Sequence, residues 1–215
     1  KTLKVTQSFE VPANLKLEIA GSDGGFLSLS KTLKIAGTIQ FSPPTVSSQT
    51  QHSMIDGTLE LAAGALLDVD YDTNIASNLK ISGDSKIDVE SDMNLTYSGV
   101  AIDVNTYQLT FLGTGTIDNS NAVVLNNSEG LIVFADDITV ALVKVTEGSS
   151  SGKGMQVKSA GAKVTNLNLL ADLILIFDNE QYVFNIENIV VSAAATLSTE
   201  GSRGLVNIIE LLQDQ

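Results

Sequence analysis

The sequence lacks cysteine and tryptophan and contains only one histidine, His52, and one arginine, Arg203. Without cysteine the chain cannot build a disulfide scaffold, a thiolate metal site or a cysteine nucleophile. One histidine and one arginine leave little material for general-base catalysis or for binding phosphate, and a lone histidine is not a zinc site. Aromatic residues make up 5%, which disfavours a sugar-binding cleft with flat aromatic platforms. His52 lies in a polar stretch, so we expect it to be exposed in a loop.

Basic residues are also scarce. The chain contains 12 lysines and arginines and 25 acidic residues, which gives a formal net charge of -13. A surface of that sign repels phosphate backbones and anionic headgroups, so we expect neither nucleic acid nor membrane insertion. The longest apolar runs, 131–135 and 173–177, are far shorter than the ~20 residues of a spanning helix. Low charge with abundant Ser, Thr, Asn and Gly favours a secreted or cell-surface protein. Because the sequence begins with Lys1 rather than Met, we expect a processed form or a fragment.

A short pattern recurs along the chain: Leu, any residue, a large apolar residue, any residue, Gly. In each copy the apolar residues alternate with polar ones, as expected for a short strand with one buried face. Further short strands with an acidic residue between two apolar ones follow several copies. The clearest copies of the first pattern are 17–21, 33–37, 79–83, 95–99 and 109–113.

These units predict an all-β fold in which short strands stack lengthwise as a parallel β-solenoid, a right-handed β-helix. At roughly 20 residues per coil (one full turn of the solenoid), about ten coils fit. We expect a single domain over 1–215, with regular coils at about 15–145 and less regular ones over 146–203. Residues 204–215 look like a short amphipathic helix or a last strand that serves as a C-terminal cap. Residues 167–177 are also compatible with a buried helix, and the alternative fold is a β-sandwich with antiparallel pairing.

Glycine ends each copy of the pattern, where the chain has to turn a sharp corner. A corner requires either a positive φ or a close approach of two backbones, and glycine permits both. We therefore predict structural corner glycines at Gly21, Gly37, Gly83, Gly99 and Gly113.

The segments 79–89, 95–104 and 109–118 resemble the repeats of right-handed parallel β-helix proteins of the pectin-lyase-like kind. Among these, bacterial surface adhesins and autotransporter passengers are the most similar in character. The resemblance implies a β-helix, and it implies a role only at the level of architecture, because such repeats serve adhesins, tailspikes, polysaccharide lyases and filaments alike.

Two sets of aspartates are candidate sites. Asp68, Asp70 and Asp72 alternate along the chain, so on an extended strand their carboxylates share a face and could hold Ca²⁺. The alternative is that these three aspartates form an acidic, solvated face. Apart from calcium, we expect no cofactor. The second set recurs at matching places in the repeat and, if stacked, would form a ladder of like charges suited to cleaving polysaccharides, with Lys80 and Lys86 the nearest bases. That set is Asp68, Asp88, Asp103 and Asp118.

The sequence as a whole favours a non-enzymatic extracellular structural or adhesive module, such as a subunit of a surface layer or self-assembling fibre. Its expected partners are other protein subunits, including copies of itself in a homo-oligomer, or cell-surface glycans. The alternative is a polysaccharide lyase, a hydrolase or a glycan-binding tailspike-like protein on the same scaffold. No reactive cluster in the sequence points to catalysis.

Overall fold

The computed structural model describes residues 2–20, 25–44 and 51–213, and within these ranges every regular element is a β-strand. The first four coils each contain three strands. They are β1 (Thr2–Val5), β2 (Phe9–Val11), β3 (Lys16–Ile19), β4 (Phe26–Leu29), β5 (Thr32–Ile35), β6 (Thr38–Phe41), β7 (His52–Ile55), β8 (Thr58–Leu61), β9 (Leu66–Val69), β10 (Thr73–Ile75), β11 (Asn78–Ile81) and β12 (Ser85–Val89).

The later coils change from three strands to two. Coils five and six contain β13 (Asn94–Tyr97), β14 (Ile102–Asp103), β15 (Gln108–Gly113), β16 (Thr116–Asn119), β17 (Val123–Leu125) and β18 (Leu131–Phe134). The last coils contain β19 (Thr139–Val145), β20 (Gly154–Val157), β21 (Ala162–Leu169), β22 (Leu173–Phe177), β23 (Val183–Val191), β24 (Leu197–Gly201) and β25 (Leu205–Gln213). Strands β21 and β22 cover 167–177 almost entirely, so the helix alternative for that segment is wrong.

All strand pairs are parallel, and the strands stack in three sheets. The twelve-stranded sheet runs β1-β4-β7-β10-β13-β16-β19-β21-β23-β25, with β14 and β17 beside it. The nine-stranded sheet runs β3-β6-β9-β12-β15-β18-β20-β22-β24, and the four-stranded sheet runs β2-β5-β8-β11. The molecule is a parallel β-solenoid of about nine turns that matches the right-handed β-helix. The parallel pairing excludes the β-sandwich.

Alternation of apolar and polar residues explains why the short strands stack. In β5 the side chains of Leu33 and Ile35 are fully buried, whereas Thr32 and Lys34 between them are partly exposed. Leu33 lies directly over Leu59 of the next coil, so each inward residue covers the one below. In the second half aromatic rings continue this packing, with centroids 5.6 Å apart for Phe111 and Phe134 and 5.1 Å for Phe134 and Phe184. One continuous apolar core therefore runs along the axis.

Part of the polar stretch 42–57, which contains His52, belongs to the ladder. Residues 52–55 form β7, which pairs with β4 on one side and β10 on the other. Residues 45–50 lie outside the described part of the chain.

Candidate functional site

The N-terminal end of the solenoid exposes side chains that would be core residues in any other coil. Strands β1, β2 and β3 are each the outermost strand of their sheet. Leu3 lies in register with the buried Leu27, and Phe9 with the buried Leu33, so both side chains continue inward columns. Leu3 and Phe9 are nevertheless 50% and 54% exposed, because no described strand covers them. This end is an apolar surface bounded by open strand edges.

The C-terminal end has the same character. Strand β25 pairs with β23 and is the last strand of the twelve-stranded sheet. Ile208 lies in register with the buried Ile186, and Leu211 with the buried Ile189, yet they are 44% and 64% exposed. Of the two interpretations of residues 204–215, the strand is confirmed over 205–213 and the helix is wrong. This strand exposes apolar side chains itself.

The flanks of the solenoid differ from its ends. Seven of the nine exposed large apolar residues in the described chain belong to the first and last coils; they are Leu3, Phe9, Leu15, Leu205, Ile208, Ile209 and Leu211. On the four-stranded sheet, by contrast, an outward column alternates in charge through Glu10, Lys34, Glu60 and Lys80. Lys80 contacts Glu60 at 3.0 Å. Burial alone would raise the pKa of Glu60, but hydrogen bonds from Lys80 and Ser82 outweigh it, and the pKa is lowered.

The three candidate calcium ligands do not converge on one point. Gln40 Nε2 donates hydrogen bonds to Asp68 Oδ2 at 3.0 Å and to Asp70 Oδ2 at 2.6 Å. Asp72 Oδ1 instead accepts the backbone N–H of Asn94 at 2.8 Å. Within the described ranges no group of three or more His, Cys, Asp or Glu side chains is placed to hold a metal ion. Calcium binding stays a prediction, which a higher melting temperature in calcium than in chelator would support and an unchanged one would contradict.

The pKa of Asp68 is raised. Burial, a side-chain hydrogen bond with Asp70 and the negative charges of Asp70 and Asp88 raise the pKa of Asp68 from 3.8 to about 7. Asp88 lies directly over Asp68 in the next coil. Burial raises the pKa of Asp88 as well, with added repulsion from Glu90, Asp136 and Asp70. One flank of the nine-stranded sheet is therefore an acidic patch in which a carboxyl holds its proton near neutral pH.

The predicted aspartate ladder is wrong beyond its first two members. Asp103 lies in β14 and pairs with Val124, and Asp118 lies in β16 and pairs with Thr96. Both strands belong to the twelve-stranded sheet, whereas Asp68 and Asp88 belong to the nine-stranded sheet. The repeat places similar sequences on different sides of the solenoid, so only Asp68 and Asp88 stack.

Replacing Asp68 with Asn should remove a pH dependence of stability. Because the folded pKa is above the unfolded value, the native state binds more protons, and this contribution to stability is lost as pH rises from about 4 to about 7. Asparagine can donate to Asp70 and accept from Gln40 without ionising. We expect the melting temperature of Asp68→Asn to rise relative to the wild type across this interval. Thermal unfolding at several pH values, with Asp103→Asn as control, measures the difference; parallel profiles for Asp68→Asn and wild type would contradict it.

His52 is the clearest error of the sequence-based interpretation. Its side chain is fully buried in β7, not exposed in a loop. Nδ1 accepts the backbone N–H of Gly25 at 2.8 Å, and Nε2 lies 2.7 Å from the backbone oxygen of Ser42. The ring packs between Phe41 and Tyr71, with centroids 5.9 and 5.5 Å away. His52 therefore joins three coils in the core.

Tyr97 marks a break in the sheet structure that the sequence did not indicate. Its side chain fills an inward position and is 1% exposed. Its hydroxyl accepts the backbone N–H of Leu79 at 3.1 Å and donates to the backbone oxygen of Val100 at 2.6 Å. Leu79 lies in β11, where the four-stranded sheet ends. The tyrosine hydroxyl thus takes the place of a ladder hydrogen bond at the edge where the four-stranded sheet ends.

The predicted corner glycines occupy several kinds of position. Gly37, Gly83 and Gly99 lie between consecutive strands, where an added Cβ would collide with backbone atoms of the preceding coil. Gly113 ends β15 with a φ of 79°, and its added Cβ would overlap the backbone oxygen of Val89. Gly21 lies outside the described residues. Corner geometry in this solenoid therefore depends on close backbone approach more than on positive φ.

The fold defines the class of protein, which is a parallel β-solenoid. Comparison with family models, curated proteins and solved structures finds no match. The described residues include no helix long and apolar enough to cross a membrane.

Proposed function

We propose that the protein is a non-enzymatic structural or adhesive module, secreted or displayed on a cell surface, such as a subunit of a surface layer or self-assembling fibre. The stack of parallel strands around one continuous apolar core supports this proposal most strongly, because such a stack forms a rod. An open parallel edge offers unpaired N–H and C=O groups in addition to apolar side chains, and such edges add strands from a neighbour. Other subunits are the partners this surface fits, with cell-surface glycans as partners of the polar flanks.

In this proposal the protein acts mechanically, as a rod. Parallel ladder hydrogen bonds and stacked inward side chains join each coil to the next along the whole axis. About nine turns at ~4.8 Å per layer give a rod on the order of 45 Å long. These interactions make the rod resist extension along its axis.

Self-assembly can be tested on the purified protein. We expect wild-type protein to form species larger than the monomer as its concentration rises. Sedimentation velocity and electron microscopy measure the species; a monomer at all concentrations would contradict the proposal.

A polysaccharide-active enzyme is the second candidate, favoured by the Asp68–Asp70 pair. A carboxyl with a pKa of about 7 beside a second carboxyl is a suitable general acid. Lys86 lies two residues from Asp88 on the outward face of β12 and is a base near this patch. Release of reducing or unsaturated ends from acidic polysaccharides, abolished in Asp68→Asn and Asp88→Ala but not in Asp103→Ala, would support this alternative.

A further inference from the structure

We infer that a break in the hydrogen-bond ladder between coils four and five binds a neutral saccharide of one or two sugar units. The break, which we call the window, lies between β11 and residues 98–105. The inference rests on the proposed adhesive role, in which cell-surface glycans are partners of the flanks, and it adds the site and the class of sugar. The window lies within the stack of coils, so it is present whatever adjoins the first and last coils.

The window is bounded at both ends by contacts between the two coils. At one end the N–H of Ser98 donates to the backbone oxygen of Ile75 at 3.0 Å, and at the other the N–H of Gln108 donates to Asp84 Oδ1 at 2.8 Å. Between these contacts no backbone hydrogen bond joins the described residues of coil four to those of coil five. Strand β14 lies at the corresponding place in coil five, but it pairs with β17. The ladder is therefore interrupted over one side of one coil.

The open edge of β11 leaves a buried backbone group without a partner. In parallel strands alternate residues bond to opposite neighbours. Ser82 donates its N–H to the backbone oxygen of Leu61 in coil three at 2.8 Å, so the backbone groups of Ile81 face coil five. The Tyr97 hydroxyl accepts the N–H of Leu79, whereas the N–H of Ile81 has no acceptor among the described residues although Ile81 is only 2% exposed. Buried donors are rarely left unpaired, so a partner from outside the chain is expected here.

The hydroxyl of Tyr97 shows which kind of group fits the window. It accepts the N–H of Leu79 at 3.1 Å and donates to the backbone oxygen of Val100 at 2.6 Å, so a single O–H group bridges both sides of the break. Ile81, two residues further along β11, lacks such a group. A ligand hydroxyl can accept the N–H of Ile81 and donate to an oxygen across the break in the same way. A saccharide carries several hydroxyls and therefore matches this pattern.

A groove of about 360 Å³ opens onto the window and is within the size range of small-molecule sites. Thr58, Asn78 and Asn105 contribute polar side chains to its lining, and Val100 and Ala101 contribute an apolar part. Val100 is 56% exposed and is one of the two exposed large apolar residues of the described chain outside the first and last coils. A sugar ring presents hydroxyls at its edge and C–H groups on its face, so the polar side chains can bind the edge while Val100 covers the face.

The charges around the groove favour a neutral sugar over an acidic one. The charged side chains of the lining are Lys80 and Asp103. Lys80 contacts Glu60 at 3.0 Å, so its charge is already compensated, whereas no described basic side chain pairs with Asp103. An anionic ligand would be repelled by Asp103 and by the chain's net charge of -13.

A peptide strand fits the window less well than a compact ligand does. An added strand runs along the whole edge of β11 and needs a free layer beside it. An added Cβ at Gly99 would lie 2.5 Å from the backbone oxygen of Ser77, so coil five already contacts coil four at one end of the edge. Past the other end the coils rejoin where Ser85 pairs with Leu109. A compact ligand that enters from the flank avoids both closures.

Solution NMR of the wild-type chain tests the site with sugars as probes. We expect maltose and lactose, which are neutral, to shift the backbone amide signals of Ile81, Val100 and Ala101. The dissociation constant should be on the order of 1 mM, because no aromatic ring is among the described residues that line the groove. Digalacturonate, an acidic probe, should bind about tenfold more weakly because of the negative charge around the groove.

Asn78→Ala should weaken the binding of maltose and lactose about fivefold, since it removes an amide that hydrogen-bonds the sugar. Asn94→Ala is the matched control and should bind as the wild type does. Both asparagines are the exposed first residues of their strands, but Asn94 lies in the twelve-stranded sheet, away from the window.

The outcomes separate the inference from the proposed function. Shifts confined to other amides, or equal losses in Asn78→Ala and Asn94→Ala, would overturn the window as the site, although glycan binding by the flanks would stand. Digalacturonate binding as tightly as maltose would overturn the choice of a neutral sugar. Shifts of Ile81 by a tetrapeptide of alternating threonine and valine, and by no sugar, would overturn the saccharide in favour of strand addition. No shift by any probe at about 100 mM would overturn the inference, whereas the structural role depends on the species seen in sedimentation velocity.

Discussion

Gly99→Val should lower the free energy of unfolding by about 3 kcal/mol, the range of the more severe single substitutions. An added Cβ at Gly99 would lie 2.5 Å from the backbone oxygen of Ser77 and 2.5 Å from the hydroxyl of Tyr97. Neither atom can retreat without loss, because the Tyr97 hydroxyl holds the hydrogen bonds that replace the missing ladder bond. The sequence left two causes open, a positive φ and a close backbone approach, and Gly99 is not among the described glycines with positive φ. Denaturant unfolding of wild type and variant measures the loss.

Gly148→Val is the matched control for this prediction. An added Cβ at Gly148 meets only the Cβ of Asp172, at 3.9 Å, which is ordinary contact. We expect its effect to be less than about 1 kcal/mol, as for most surface substitutions. Equal losses for Gly99→Val and Gly148→Val would show that close backbone approach at the Gly99 corner does not stabilise the fold.

His52→Ala should lower the free energy of unfolding by a similar amount, about 3 kcal/mol. The substitution removes a buried ring and leaves two backbone groups without a hydrogen-bond partner. The substitution opens a cavity between Phe41 and Tyr71. It also leaves the N–H of Gly25 and the carbonyl of Ser42 without the imidazole that they contact. Thermal or denaturant unfolding measures the total loss.

Hydrogen exchange at Gly25 gives a readout specific to the His52 contact. Without Nδ1 as acceptor, the Gly25 amide should exchange faster in His52→Ala than in the wild type, beyond the change explained by global stability. Ser53→Ala, at the next residue of β7, should change neither stability nor this amide appreciably. Unchanged protection of Gly25 in His52→Ala would contradict the role assigned to the imidazole.

The fold was predictable because one local rule is repeated on every side of the solenoid. Leucine alternation with a corner glycine predicted stacked parallel strands, and Leu33, Leu59 and Leu79 do lie over one another in the four-stranded sheet. The same motif at Leu17 and Leu109 lies in the nine-stranded sheet, and at Leu95 in the twelve-stranded sheet. Each side needs the same alternation and the same corner, so the motif does not say which side it occupies. For that reason the aspartate ladder was wrong beyond Asp68 and Asp88.

The surroundings of particular side chains were not predictable from local sequence. His52 is flanked by polar residues, and its burial arises from Phe41, Tyr71 and Gly25, which reach it from neighbouring coils. The Asp68–Asp70 pair likewise accepts hydrogen bonds from Gln40, which lies in the preceding coil. Residues about one coil apart become neighbours only once the register is known.

Amide-resolved contacts in solution NMR test most directly the central claim that the strands stack in parallel register. In the four-stranded sheet this register pairs Leu33 with Leu59 and Leu59 with Leu79. We expect backbone contacts between β5, β8 and β11 that follow this parallel register. Contacts between the same strands in antiparallel order would contradict the solenoid.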